Sequence, residues 1–281
     1  MFRFARAATP ISIDSTQPRR KRIMSQSPVL YDLTSGIATI TLNRPEVMNA
    51  LNRQIRLDLL AALTRATSEA RVIVLTGTGR AFCSGQDLTD AEDPTAIDFT
   101  ATLRDEYEPL LRAIYDCPLP VISAVNGAAA GAGANLALAA DVVIATESAS
   151  FLQAFTRIGL IPDAGGTFWL PRQIGFARAM GAMLFADKIS ARQAADWGMI
   201  WEAVPDDAFA AHWQARAAAL AHGPTLAYGG VKRALRASAA STLDAQLALE
   251  GDLQAQCGAS HDFAEGVTAF LQKRSPKFEG R

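Results

Sequence analysis

The chain runs to 281 residues, 49% hydrophobic and 20% charged, a globular composition with length enough for a sizeable core. A formal net charge of −1 offers no electrostatic footing for nucleic acid or an acidic membrane, and no run of about 18 apolar residues is present to span one. Cys83, Cys117 and Cys257 are widely separated without metal-type spacing, which points to a reducing cytosol and no bound metal.

Ahead of Met24 six basic residues stand against Asp14, a local charge of +5 that leaves −6 for the remainder. Residues 1–27 read as a leader or start-site extension, with Met24 opening the product. An organellar transit peptide is the other reading, weakened by poor apolar periodicity. "GIATITLNRPE" (36–46) predicts a strand, because Ala38, Ile40 and Leu42 alternate with Thr39 and Thr41 before Asn-Arg-Pro stops it. "QIRLDLLAAL" (54–63) has Ile55, Leu59 and Leu63 at helical spacing. "RVIVLTGTG" (71–79), "PVISAVNG" (120–127) and "DVVIATES" (141–148) predict buried strands, the last two separated by an Ala/Gly-rich helical stretch. "MIWEAVP" (199–205) predicts a further strand, and helices follow at 211–223 and 262–274. Strands alternating with helices argue for an α/β body with a helical appendage.

Three glycine-bearing segments follow strands: "GTGRAFCSGQDL" (77–88), "NGAAAGAGANLALAAD" (126–141) and "PDAGGTFWLP" (162–171). None completes a dinucleotide fingerprint, a phosphate-binding P-loop or a nucleophile elbow. Gly127 to Gly133 allow close approach of backbone to a ligand, and the following helix offers unpaired N–H groups to a developing negative charge. Tight helix packing would use the same small residues. Cys83 and Ser84 lack a base, since the histidines are His212, His222 and His261; any mechanism needing one in the first 211 residues is excluded. Asp163 follows Leu160-Ile161-Pro162 and precedes Gly165-Gly166. It reads either as a turn-forming Asx residue or as a carboxylate short of water, with a raised pKa suited to accepting a proton.

Taken together, "NRPEVMNALN", "FCSGQDL", "NGAAAGAGANLALAAD", "GLIPDAGGT" and "EGVTAFLQKRSP" resemble the crotonase (enoyl-CoA hydratase/isomerase) family over roughly residues 28 to 281. The resemblance implies an α/β spiral of ββα units over 28–222 and a C-terminal helical region over 223–281 that builds homotrimers or hexamers. It implies an acyl-CoA substrate, coenzyme A being part of that substrate rather than a separate cofactor, and an enzyme of the cytoplasm. The thioester oxygen would sit between the backbone N–H groups of Gln86 and Ala132, the second a glycine in most of the family. Hydratases of the family use two glutamates, at positions held here by Asn135 and Phe155. Neither is acidic, and the remaining acid at a family catalytic position is Asp163. Dehalogenating members pair an acid there with an early histidine, which this chain lacks. The likeness is strongest to the family's ring 1,2-epoxyphenylacetyl-CoA isomerases, which implies a 1,3-proton shift carried by Asp163, with Phe155 and Asn135 at the substrate pocket. Isomerisation of 3-enoyl-CoA to 2-enoyl-CoA is the alternative. A non-enzymatic acyl-CoA or RNA-binding relative is a third, against which Asp163 argues.

Overall fold

The computed structural model describes residues 27–90, 93 and 97–281. The leader expected ahead of Met24 lies outside the described residues. The chain opens with an antiparallel hairpin, β1 (Val29–Thr34) and β2 (Ile37–Leu42), followed by α1 (Arg53–Glu69). Then come β3 (Val72–Gly77) and β4 (Ala81–Cys83), and a helical run of α2 (Phe99–Thr102), a one-turn π-helical segment (Leu103–Tyr107) and α3 (Glu108–Tyr115). β5 (Val121–Val125), β6 (Ala128–Ala130) and α4 (Ala132–Leu138) make the next unit. β7 (Val142–Thr146), β8 (Ser150–Leu152), α5 (Gly166–Ile174) and α6 (Phe176–Phe185) make another, and β9 (Ile189–Ser190), α7 (Ala191–Asp196) and β10 (Glu202–Val204) close the spiral. Four helices finish the chain: α8 (Phe209–Ala221), α9 (Thr225–Ser238), α10 (Leu243–Gly258) and α11 (His261–Leu271).

In each unit the first strand joins one sheet and the second joins another. The larger sheet has order β1-β2-β3-β5-β7-β10, and the smaller one β4-β6-β8-β9. From β2 onward the large sheet is parallel. Its central strands β3 and β5 are apolar almost throughout because both faces are covered. Ile55, Leu59 and Leu63 of α1 pack into the main core with Ile73 and Leu75. Phe209, Ala217 and Ala221 of α8 close the opposite face over Val72, Val74 and Ile122. This is the expected spiral of ββα units.

The predicted strand at 36–46 contracts to Ile37–Leu42, and the helix at 54–63 extends to Arg53–Glu69, where the Asn52 side chain accepts from the Ile55 N–H. The strand expected over 199–205 is only Glu202–Val204, because Met199 and Ile200 are buried in the turn leaving α7. Part of the stretch expected to be helical is strand β6, since Ala128–Ala130 pairs with β4 and β8. At the C-terminus, Lys232 of α9 donates to the Leu119 carbonyl at 2.5 Å and pairs with Asp141 at 2.6 Å. α9 to α11 leave Val231, Leu247, Phe263, Val267, Phe270 and Leu271 exposed around a cavity of about 960 Å³. No helix of the described residues is long and apolar enough to cross a membrane.

Candidate functional site

The segment "NRPEVMNALN" is the bed on which the "CSGQD" loop lies. Asn49 is fully buried; its side chain donates to the carbonyls of Thr78 and Ala81 and accepts from the Arg44 N–H. Arg44 pairs with Asp87 at 2.9 Å, and the thiol of Cys83 donates to the Asn49 carbonyl. The Ser84 N–H donates to Met48, the Leu51 N–H to Gly85 and the Asp87 N–H to Leu51. Leu51 thus bonds on either side of Gln86, and because alternate residues of an extended chain point opposite ways, the Gln86 N–H is turned away from this bed. Burial pushes the Cys83 thiol up to about 12, so it serves packing and not nucleophilic attack.

β4 and β6 run parallel, so the loops that leave them lie side by side. Gly85 makes this approach possible: it has φ +95°, and a Cβ there would meet the Ala130 carbonyl at 2.8 Å and the Ala132 nitrogen at 3.3 Å. Ala132 opens α4, where the first N–H groups have no helical partner. Gln86 and Ala132 line the same cavity, and neither N–H has a backbone acceptor among the described residues.

Asp163 sits in a turn closed by its own carbonyl, which accepts from the Gly166 N–H at 2.9 Å. Ala164 and Gly165 both have positive φ, and a Cβ on Gly165 would collide with the Trp169 indole at 2.4 Å. The carboxylate atom Oδ1 is buried and has no hydrogen-bond partner. Burial raises the carboxyl to about 6, which is the direction a proton acceptor needs. Of the apolar lead-in, Pro162 is buried and Leu160 half-buried, whereas Ile161 is 79% exposed and does not desolvate the acid.

Gln86, Ala132, Phe155 and Asp163 line one cavity of about 300 Å³, together with Leu103 and Tyr107. A second cavity of about 800 Å³ shares Asp163, Tyr107 and Leu160 and continues along Phe168 and Trp169. Asn135, expected at the pocket, lines neither of these cavities. It is fully buried behind the Asp163 turn because its amide is drawn to the turn's backbone. His212 pairs with Glu202 at 2.7 Å, and neither it nor His222 and His261 lines either cavity. Among the described residues no group of His, Cys, Asp or Glu is placed to hold a metal.

Sequence reasoning missed the support behind Gln86. Arg56, 3% exposed, donates to the Gln86 Oε1 at 2.9 Å and to the Leu51 carbonyl, and pairs with Glu106 at 2.6 Å. Tyr107 donates to the same Oε1 at 2.6 Å, and its hydroxyl is held well above the usual tyrosine range by burial. Arg56 next to the apolar Ile55 and Leu59 of α1 is the one sequence signal of this network, a charge on a face that is otherwise core. Among its described residues, the cavity is lined by one carboxylate, Asp163, raised by burial, and by the Gln86 and Ala132 backbones, whose N–H groups have no backbone acceptor. That set can remove a proton next to a carbonyl and hold the oxygen that becomes negative.

The fold is that of the crotonases, and the chain belongs to the enoyl-CoA hydratase/isomerase family, whose sequence profile matches residues 32–281. Over 258 residues it is 64% identical to a Rhodobacter capsulatus protein named "Probable enoyl-CoA hydratase", covering 92% of this chain and 100% of that one. It is 48% identical to 1,2-epoxyphenylacetyl-CoA isomerase of Escherichia coli, covering 90% and 98%. A crystal structure of enoyl-CoA hydratase from Bacillus anthracis superposes with a TM-score of 0.84 at 31% identity, covering 90% of this chain and all of that one. The chain is thus an enzyme-family member whose relatives carry both hydratase and isomerase names.

Proposed function

We propose that the protein is an acyl-CoA isomerase that moves a proton across three carbons, with ring 1,2-epoxyphenylacetyl-CoA as its substrate. The observation that carries this reading is that, among the described residues, Asp163 is the one acid lining the smaller cavity, while the two family glutamate positions hold Asn135 and Phe155. Hydration needs one group to activate water and another to deliver a proton, whereas a shift along one face needs only one carboxylate. The ring epoxide interconverts with its seven-membered oxepin by valence tautomerism, in which the ring C–C bond of the epoxide breaks and the CH2-bearing carbon becomes part of a double bond. From that oxepin Asp163 takes a proton from the CH2 beside the thioester. The electron pair moves into the carbonyl, giving an enolate whose oxygen accepts from the Gln86 and Ala132 N–H groups. Each such donor stabilises the transition state by about 3 kcal/mol. Asp163 then returns the proton two carbons away, and the double bond ends conjugated with the thioester. Phe155, buried at the cavity wall, provides an apolar face for a ring.

The identity to the E. coli isomerase supports the ring substrate. A 33% identical relative from Streptococcus mutans, trans-2-decenoyl-[acyl-carrier-protein] isomerase, supports the same shift on linear unsaturated chains as a second reading. The exposed apolar residues of α9 to α11 support self-association of 223–281 into a trimer or hexamer, and three unpaired cysteines suit a cytoplasmic enzyme. The test is to incubate wild type and Asp163→Asn with the ring epoxide, a 3-enoyl-CoA and a 2-enoyl-CoA, following products by mass and absorbance. Isomerised products of unchanged mass, lost in the variant, are expected. A gain of one water on the 2-enoyl substrate as the dominant reaction overturns the assignment.

A further inference from the structure

The backbone of Asp163 is held by the side chain of Asn135. Asn135 is fully buried; its Nδ2 donates to the Asp163 carbonyl at 2.7 Å, and its Oδ1 accepts from Gln153 Nε2 at 2.8 Å. Gln153 is itself buried, so the amide of Asn135 has a set orientation: acceptor toward Gln153, donor toward the turn. Gly166 is fitted to this amide, since a Cβ there would lie 2.4 Å from Asn135 Nδ2. The arrangement spans three elements, α4, the stretch after β8 and the Asp163 turn, and meets at a single carbonyl.

We propose that Asn135 is a positioning residue for the reaction: oriented by Gln153, its amide fixes the Asp163 main chain so that the carboxylate stays in the cavity beside the Gln86 and Ala132 N–H groups. This rests on the reading of Asp163 as proton carrier. Only a neutral amide serves here. An ionised carboxylate at 135 cannot donate, would set its oxygens against the Asp163 carbonyl, and would place a second negative charge behind the first. The residue that occupies a hydratase acid position thereby becomes part of what keeps Asp163 aimed, and a misplacement of about 1 Å costs about 100-fold in rate.

The test compares Asn135→Ala, Asn135→Asp, Gln153→Glu and Asp163→Asn on turnover of a 3-enoyl-CoA. Alongside it, solvent-deuterium exchange into the CH2 of phenylacetyl-CoA is followed, because that compound can lose its proton but cannot isomerise. Asn135→Ala is expected to lower kcat and exchange together by about 10- to 100-fold, with KM within about threefold, and to move the acid limb of the pH profile. Among the described residues, Tyr107 and Arg157 are the other titratable groups at the smaller cavity, and Arg104, Glu108, Arg112 and Tyr115 those along the larger one. Asn135→Ala changes none of them, so a moved limb reports Asp163. Asn135→Asp keeps the size and is expected to lower kcat at least as far as Asn135→Ala at about pH 8, where an ionised carboxylate cannot donate to the Asp163 carbonyl. Gln153→Glu leaves Asn135 in place and is expected to lower kcat by turning its amide over. If Asn135→Ala melts early, these two variants decide. Full kcat with an unmoved limb in the Asn135 variants, beside an inactive Asp163→Asn, overturns the positioning role and leaves the proposed function intact. Retained turnover in Asp163→Asn overturns both.

Discussion

Asp163→Asn should make the protein more stable at neutral and alkaline pH while removing its activity. The carboxyl rises from its ordinary 3.8 to about 6 because it is buried with Oδ1 unpartnered. At about 1.4 kcal/mol per pKa unit, the native state then disfavours the ionised acid by up to ~3 kcal/mol. The side chain is partly open to the cavity, and halving the figure for solvent gives ~1.5 kcal/mol. The sign follows from linkage. Below pH 3.8 both states keep the proton and the acid costs nothing. Between 3.8 and about 6 the unfolded chain ionises while the native one does not, so wild-type stability falls; above about 6 the deficit is constant. Urea unfolding of wild type and variant, at equal protein concentration near pH 4.5 and near pH 8, isolates this term, because any packing effect of the amide is common to both. The variant should gain about 1 kcal/mol more at the higher pH than at the lower, with its Tm up by about 3–6 °C at pH 8. Equal offsets at the two pH values would refute the desolvated carboxylate.

The kcat/KM of the wild type should rise with pH through about 6 and then level, since the free enzyme must present Asp163 ionised; a flat profile from 5 to 7 would remove it as the base. Gly133→Ala would place a Cβ 2.4 Å from the Cys83 carbonyl. It should cost about 1–3 kcal/mol in urea melts and lower kcat more than it raises KM, because β4 leads into Gln86. Arg56→Ala leaves Glu106 and the Gln86 amide without their shared donor, and should destabilise by about 3 kcal/mol while reducing kcat/KM. Phe155→Ala should cost about 3 kcal/mol and erase discrimination between ring and linear acyl groups, read from kcat/KM on the two substrate types.

Apart from β1, which the sequence reading passed over, the strands of the large sheet were legible because their signal is local. Ala38, Ile40 and Leu42 alternate where one face is covered, and 72–75 and 121–125 are unbroken apolar runs where both are. The small sheet was not legible, since its strands have two or three residues, too few for any period. Ala128–Ala130 favours helix by composition and becomes strand because β4 and β8 flank it, a long-range pairing overriding propensity.

The same division runs through the site. A carboxylate between Leu-Ile-Pro and Gly-Gly stands out in the sequence, and the missing family acids at 135 and 155 can be read there too. The sequence by itself determined the residue types: an acid at one family catalytic position, no histidine before His212, and glycines where backbones must meet. Only the tertiary structure decided their use. It turned Asn135 away from the cavities toward the Asp163 carbonyl, sent Ile161 to solvent, and brought Arg56 and Tyr107 onto Gln86. Direction and solvent access belong to contacts between segments far apart in the chain, and no local pattern of residues encodes them.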